Sequence, residues 1–256
     1  MRTRVRVLPV SGDIILCPTA MPDTFTRPLV ISPHFDDAVF SCGAMIAAHP
    51  GAVVYTVFSG SPASEITTDW DRHCGFDNAA DAMRERSRED DRALDLLAAL
   101  PDRGAFLDAQ YVPFAPPAHA PTQHTIAQAL DRALRRHAAR TLVIPFGLFH
   151  SDHQLVHRAC VDVWRAQTEL ACFAYEDALF RRLPGQLQAR LVDLVTRGII
   201  ATPAIEHGRA DRSHQAAKRD AVNAYASQLK AFGPDGYDDV FSTERYWKLE
   251  LAARKR

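Results

Sequence analysis

The stretch Pro28-Leu-Val-Ile-Ser32-Pro-His34-Phe-Asp36-Asp37-Ala-Val39 decides the fold. Its aliphatic run has no polar break, which reads as a strand buried on both faces. The turn that follows carries a histidine and two aspartates, and Ala38 to Ala48 then reads as a helix. Strand, polar turn and helix make the start of a βα unit, and the pattern recurs along the chain. Ala52-Val-Val-Tyr-Thr-Val-Phe58, Thr141-Leu-Val-Ile-Pro145 and Ala171 to Tyr175 read as further strands. Helical patterns fill Ala79 to Leu100 (stopped by Pro101), Thr122 to Arg140, Asp152 to Thr168 and Ser213 to Lys230. Val5 to Val10 is a candidate first strand and Gly104 to Ala109 a short one. Ser59 to Asn78, rich in Ser, Thr, Asp and Gly, reads as a loop, and Pro113 to Pro121 as a rigid connector. Strands separated by helices predict an α/β fold with a mostly parallel sheet and helices on both faces. The 256 residues are expected to form a single domain, with no internal repeat.

Composition narrows the function. Thirty Lys plus Arg against 31 Asp plus Glu leave a net charge of -1, which argues against a dedicated nucleic-acid binder. The cysteines Cys17, Cys42, Cys74, Cys160 and Cys172 are an odd, scattered set without a CxxC pair, so reduced thiols are expected. Ala38 to Ala48 is too short to span a bilayer and is interrupted by Ser41, so no membrane insertion is expected. The first residues lack a continuous apolar leader core, and a cytoplasmic location is the expectation. The chain holds no GxGxxG, GxxxxGK[ST] or GxSxG, the marks of dinucleotide enzymes, P-loop enzymes and serine hydrolases.

Two clusters can do chemistry, each just after a buried strand: Ser32-Pro-His34-Phe-Asp36-Asp37 and Pro145-Phe-Gly-Leu-Phe-His150-Ser-Asp152-His153. In open α/β sheets, ligands bind beyond the carboxyl ends of the strands, where both fall. His34, Asp37 and His153 offer two nitrogens and one oxygen, the protein ligands of a catalytic zinc site with a position left for water. Asp36 stays free as a base for that water. His150 can stabilise an oxyanion or protonate a leaving group, and Asp152 can fix a histidine tautomer. Taken singly, each cluster is explained by helix capping, with Asp36 or Asp37 capping the helix near Ala38. Their joint placement at two strand ends favours a metal site.

SPHFDDAVFSCG resembles the HPDDE signature of the PIG-L/LmbE-like zinc N-deacetylases, and HSDH resembles their HPDH signature. Further elements follow in the family's order: Thr56-Val-Phe-Ser-Gly60, the helix Arg86-Ser-Arg-Glu89-Asp-Asp-Arg-Ala93, Phe106-Leu-Asp108, and Lys218 with Ser227-Gln228. The resemblance implies a Rossmann-like three-layer sandwich and metal-dependent hydrolysis of an N-acetyl group on an amino sugar. It implies Zn2+ held by His34, Asp37 and His153, with Asp36 as general base. His150 would be a positively charged stabiliser of the tetrahedral intermediate, with Asp152 oriented to it, and Arg86 and Asp108 would hold sugar hydroxyls. The implied partner is a small-molecule or glycan substrate bearing an N-acetyl group; homo-oligomerisation is left open. Phe35 and Ser151 replace the two motif prolines, and Ala38 replaces the motif Glu, but no ligand or base is lost.

Other features carry less. His153 and His157 have the spacing of an HExxH helix, but Gln154 stands where the base would be, so His157 reads as a core or supporting residue. Trp70 reads equally as a sugar-stacking ring or a loop anchor, and Glu176-Asp177, after the Ala171–Tyr175 strand, is within reach of the site but reads first as a turn. Two other functions use the same letters: a non-haem iron oxygenase with a 2-His-1-carboxylate site, and a non-catalytic sugar-binding protein.

Overall fold

Apolar runs become sheet because they can be covered on both faces. The computed structural model describes residues 25–62, 65–167, 169–204, 210–234 and 236–253; the candidate strand from Val5 to Val10 lies outside them. In chain order the strands are β1 (Pro28–Ser32), β2 (Val53–Thr56), β3 (Leu100–Arg103), β4 (Thr141–Pro145), β5 (Ala171–Tyr175), β6 (Ile199–Ala204) and β7 (Tyr246–Leu251). The helices are α1 (Asp37–Ala47), α2 (Asp69–Cys74), α3 (Ala79–Leu96), α4 (Gln123–His137), α5 (Ser151–Arg165), α6 (Gln186–Thr196), α7 (Arg212–Asn223) and α8 (Ala226–Phe232). Among the described residues, the seven strands form one sheet in the order β3-β2-β1-β4-β5-β7-β6. β3 through β5 pair in parallel, whereas β7 runs antiparallel to both β5 and β6.

The fold is thus α/β with a mostly parallel sheet between two helical layers, as expected. Alternate residues of each strand feed opposite cores: Val30, Val54 and Val143 pack under α1, α3 and α7, while Leu29, Ile31, Leu142 and Ile144 pack under α4 and α5. Among the described residues, no helix is long and apolar enough to cross a membrane.

The differences from expectation have local causes. The helix from Ala79 ends at Leu96, because Ala98 turns left-handed (φ 51°) and releases the chain into β3 at Leu100–Arg103. The strand therefore precedes the expected Gly104–Ala109 position. Pro101 lies inside it, which an edge strand tolerates because one side needs no partner. The Ser59–Asn78 loop contains α2, started by a capping box of Thr68 and Asp71. The expected helix Ser213–Lys230 is two helices, α7 and α8, divided at Ala224-Tyr225.

Candidate metal and catalytic site

The strand order reverses between β1 and β4, and the crevice at their carboxyl ends holds both sequence clusters. The turn after β1 is held by Ser32, whose Oγ donates to the His34 carbonyl (2.5 Å) and accepts from the Ala38 N–H (2.9 Å). Ser32 thereby does the capping work, and Asp36, though at the N-cap position of α1, makes no side-chain cap bond. Phe35, in place of the motif proline, is buried in the core beneath the Arg103 guanidinium, 5.4 Å from its ring centre.

One oxygen organises the centre. Asp37 Oδ2 lies 3.0 Å from His34 Nδ1 and 3.2 Å from His153 Nε2, and also accepts from the His34 N–H at 2.8 Å. The opposite nitrogen of each imidazole meets another carboxylate. His34 Nε2 lies 3.2 Å from Asp152 Oδ2, and His153 Nδ1 lies 2.7 Å from Asp177 Oδ1. Each ring is thus oriented from behind by an acceptor, the arrangement that aims an imidazole at a metal. Asp177 in turn accepts the Leu148 N–H (3.0 Å), and Asp152 accepts the Ala109 N–H (3.0 Å).

Of the two readings of Glu176-Asp177, the structure favours the one that reaches the site: Asp177 is a fully buried anchor of His153. Its one available signal was its place just past β5, at the same sheet edge as the two recognised clusters. Asp152 was expected to orient His150. Its carboxylate instead faces His34, and it is the Asp152 backbone N–H that meets His150 Nδ1, at 3.3 Å. His150 caps α5 through this bond. With Nδ1 accepting, the imidazole proton sits on Nε2. Burial and the neighbouring His34 and His153 lower its pKa, so its surroundings favour a neutral ring rather than the expected cation.

The other predicted residues gather here as well. Asp108 Oδ2 is 3.9 Å from His34 Nε2 and 3.8 Å from Arg86 Nη1, and Asp108 is braced by the Gln110 N–H (3.0 Å) and amide (2.9 Å). Arg86 is buried, and its Nε has no hydrogen-bond partner among the described residues. Asp36, Arg86, Asp108, His150 and His153 share a cavity of about 400 Å³ with Trp70, Gln110, Leu179, Phe180, Gln228 and Phe232. Trp70, left open above, lines this cavity and also anchors α2 to α8 through Gln228, 3.2 Å from its Nε1. His157 lies outside the centre; it is buried, with Nδ1 2.9 Å from the Pro145 carbonyl.

The charges fit a cation. Burial disfavours a proton on His34, but Asp108, Asp152 and Asp37 outweigh it and hold the imidazole well above its usual value. His153, likewise opposed by burial, is pushed up to about 9 by Asp37 and Asp177. Asp37 is kept well below the usual carboxylate range by His153 and His34, against the effect of burial. Asp36 moves the other way, to about 6, through burial and the Asp37 charge. The ligand atoms of His34, Asp37 and His153 all lie within 4.8 Å of one another, and so do those of His34, His150 and Asp152. In the first group both imidazoles are backed on their opposite nitrogens by carboxylates, Asp152 behind His34 and Asp177 behind His153, whereas in the second His150 Nδ1 meets only the Asp152 N–H. The first group fits a divalent ion better.

The family model described as PIG-L, GlcNAc-PI de-N-acetylase, matches residues 29–164, more than half of the chain. The chain belongs to the PIG-L family. The matched span of this PIG-L member runs from β1 to α5 and contains all eight predicted site residues, but not Asp177. No curated protein matches the sequence. Among solved structures, the zinc-inhibited form of teicoplanin deacetylase Orf2 superposes with a TM-score of 0.71 at 22% identity, over 90% of this chain and 100% of that one. The N,N'-diacetylchitobiose deacetylase from Pyrococcus horikoshii gives 0.50 at 16% identity, over 81% and 71%. The 4-carboxy-2-hydroxymuconate hydratase from Pseudomonas putida gives 0.51 at 13% identity, over 90% and 99%. The architecture is therefore shared with enzymes of differing chemistry, and the reaction must be argued from the site.

Proposed function

We propose that this PIG-L protein is a zinc-dependent N-deacetylase that hydrolyses the acetamide of an amino-sugar substrate. The observation that carries the reading is the Asp37 oxygen set between His34 (3.0 Å) and His153 (3.2 Å), with Asp36 beside it and unpaired by any cap bond. His34, Asp37 and His153 would hold the ion, and their two nitrogens and one oxygen suit zinc. An ion there supplies a Lewis acid that polarises the acetamide carbonyl and acidifies water.

The chain's own groups perform the proton work. Asp36, its pKa near 6, is ionised at neutral pH and takes a proton from the water that attacks the carbonyl. His150 offers its Nε2–H to the oxygen on which negative charge develops. Asp36 then returns its proton to the departing amine, so one water and one amide give one acetate and one amine. Asp152 and Asp177 keep His34 and His153 in a fixed orientation throughout. Arg86 and Asp108 would hold hydroxyls of the sugar. PIG-L membership supports the substrate class, as does the likeness to the two deacetylases above. The oxygenase and non-catalytic readings gain no specific support.

The test is acetate release from N-acetylglucosamine derivatives by metal-depleted and zinc-reconstituted protein. Release is expected to vanish on chelation and return with zinc. Absence of release from every N-acetylated sugar after reconstitution would count against the reading.

A further inference from the structure

The cavity above the site has two chemistries. Its floor is ionic, as described, but its walls are aromatic. Trp70 of α2, Phe232 of α8 and Phe40 of α1 form one wall, with ring centres 5.3 Å apart for Trp70–Phe232 and 6.3 Å for Phe40–Phe232. Leu179 and Phe180, just past β5, form the other, and the Phe180 ring lies 5.1 Å from His153 and 6.0 Å from His150. Phe149 is 57% exposed and extends this second wall outward, 5.7 Å from Phe180.

Ser151 also lines the cavity, but the wall side chains Trp70, Gln228 and Gln110 are paired within the protein. Trp70 Nε1–H donates to Gln228 Oε1 (3.2 Å), and Gln228 Nε2 donates to Ser227 Oγ (3.1 Å). Gln110 Nε2 donates to Asp108 (2.9 Å), and its Oε1 accepts from Thr68 Oγ1 (2.5 Å). A second sugar ring lying here would lose water from its hydroxyls and gain few partners in return, whereas an apolar group would bury surface at no such cost. Phe149 (φ 59°) and Leu179 (φ 71°) also occupy left-handed backbone positions that favour glycine. The sequence keeps large apolar side chains at the mouth despite that strain.

We propose that these walls bind an apolar aglycone: the substrate is an N-acetylated amino sugar carrying an aryl or alkyl group on its glycosidic oxygen, rather than a second sugar. The proposal rests on the deacetylase reading for the reacting end of the substrate. The floor would take the acetamide while the walls hold the aglycone.

The test compares phenyl N-acetyl-β-D-glucosaminide with N,N'-diacetylchitobiose on the zinc-loaded full chain. It measures kcat/KM for acetate release, and calorimetric binding to the Asp36→Asn protein, in which turnover is blocked. The phenyl glycoside is expected to exceed the disaccharide about tenfold in both readouts. Trp70→Ala and, at the exposed rim, Phe149→Gly are each expected to lower that ratio, with unchanged circular dichroism for Phe149→Gly. Equal values for the two sugars, or preference for the disaccharide, would overturn the aglycone site while leaving the deacetylase reading intact. Tight binding of the phenyl glycoside with no hydrolysis of either compound would support the apolar site and sink the deacetylase reading. Neither binding nor hydrolysis would remove both.

Discussion

Asp36 and Asp37 are neighbours in sequence with opposite electrostatics. Asp37 faces two imidazoles and is held well below the usual carboxylate range, whereas Asp36 is buried beside that charge and rises to about 6. A ligand must stay ionised and a base must exchange a proton near neutrality, which supports the proposed division between Asp37 as ligand and Asp36 as base. Asp36→Asn is expected to lower kcat by about 100-fold or more while metal content stays unchanged. Because Asp36 must be ionised to act, kcat/KM should rise with pH through an acid limb no higher than about 6, read from a pH profile. His34 and His153 hold protons that a metal must displace, so zinc uptake at neutral pH should release protons. Calorimetry in two buffers of different ionisation enthalpy would detect this. Asp177→Asn should weaken zinc binding by about 10- to 100-fold through loss of the brace on His153. The eight predicted residues were legible because they lie in two compact motifs or match a family pattern. Asp177 was not, since its partner His153 is remote in sequence and reaches it only once β4 and β5 pair.

At the scale of elements, α1 carries Asp37 into the site and is fixed from behind by α7. Gly43 permits the close approach: a β-carbon there would come 2.7 Å from Lys218 Cγ. Lys218 is buried and pairs with Glu244 at 2.9 Å, and Glu244 accepts the N–H groups of Ala44 (2.8 Å) and Met45 (3.1 Å). Gly43→Ala should therefore destabilise the protein by about 1–3 kcal/mol, measured by denaturant unfolding, because neither helix nor ion pair can yield freely. The strands buried on both faces, β1, β2, β4 and β5, were readable from their aliphatic runs. β3 was displaced in the reading because Leu100-Pro-Asp-Arg103 is half-exposed and carries no core signal. β6 and β7 were missed for a related reason: only Ile199 of β6 and Tyr246 and Leu249 of β7 are buried, so neither presents a core run.

Over the whole molecule, stability should carry a pH signature from a group away from the metal ligands. Asp90 is buried, and burial raises it to about 7 despite Arg103 (3.0 Å) and the Tyr225 hydroxyl (2.9 Å). The folded chain then binds this proton more tightly than the unfolded chain, so Asp90 makes stability fall as pH rises from about 4 to about 7. Asp90→Asn should flatten that slope in unfolding measurements across the same window. The sheet that sets these relations also brings the turns after β1, β4 and β5 to one edge, where Asp37 is proposed as metal ligand and Asp36 as base. The direct test is metal analysis of protein purified without added metal or an affinity tag, for wild type, Asp36→Asn and Asp37→Asn side by side. About one zinc per chain is predicted in the first two, and loss of it in the third. Equal metal content in all three proteins, or equal loss from both variants, would contradict the division between ligand and base.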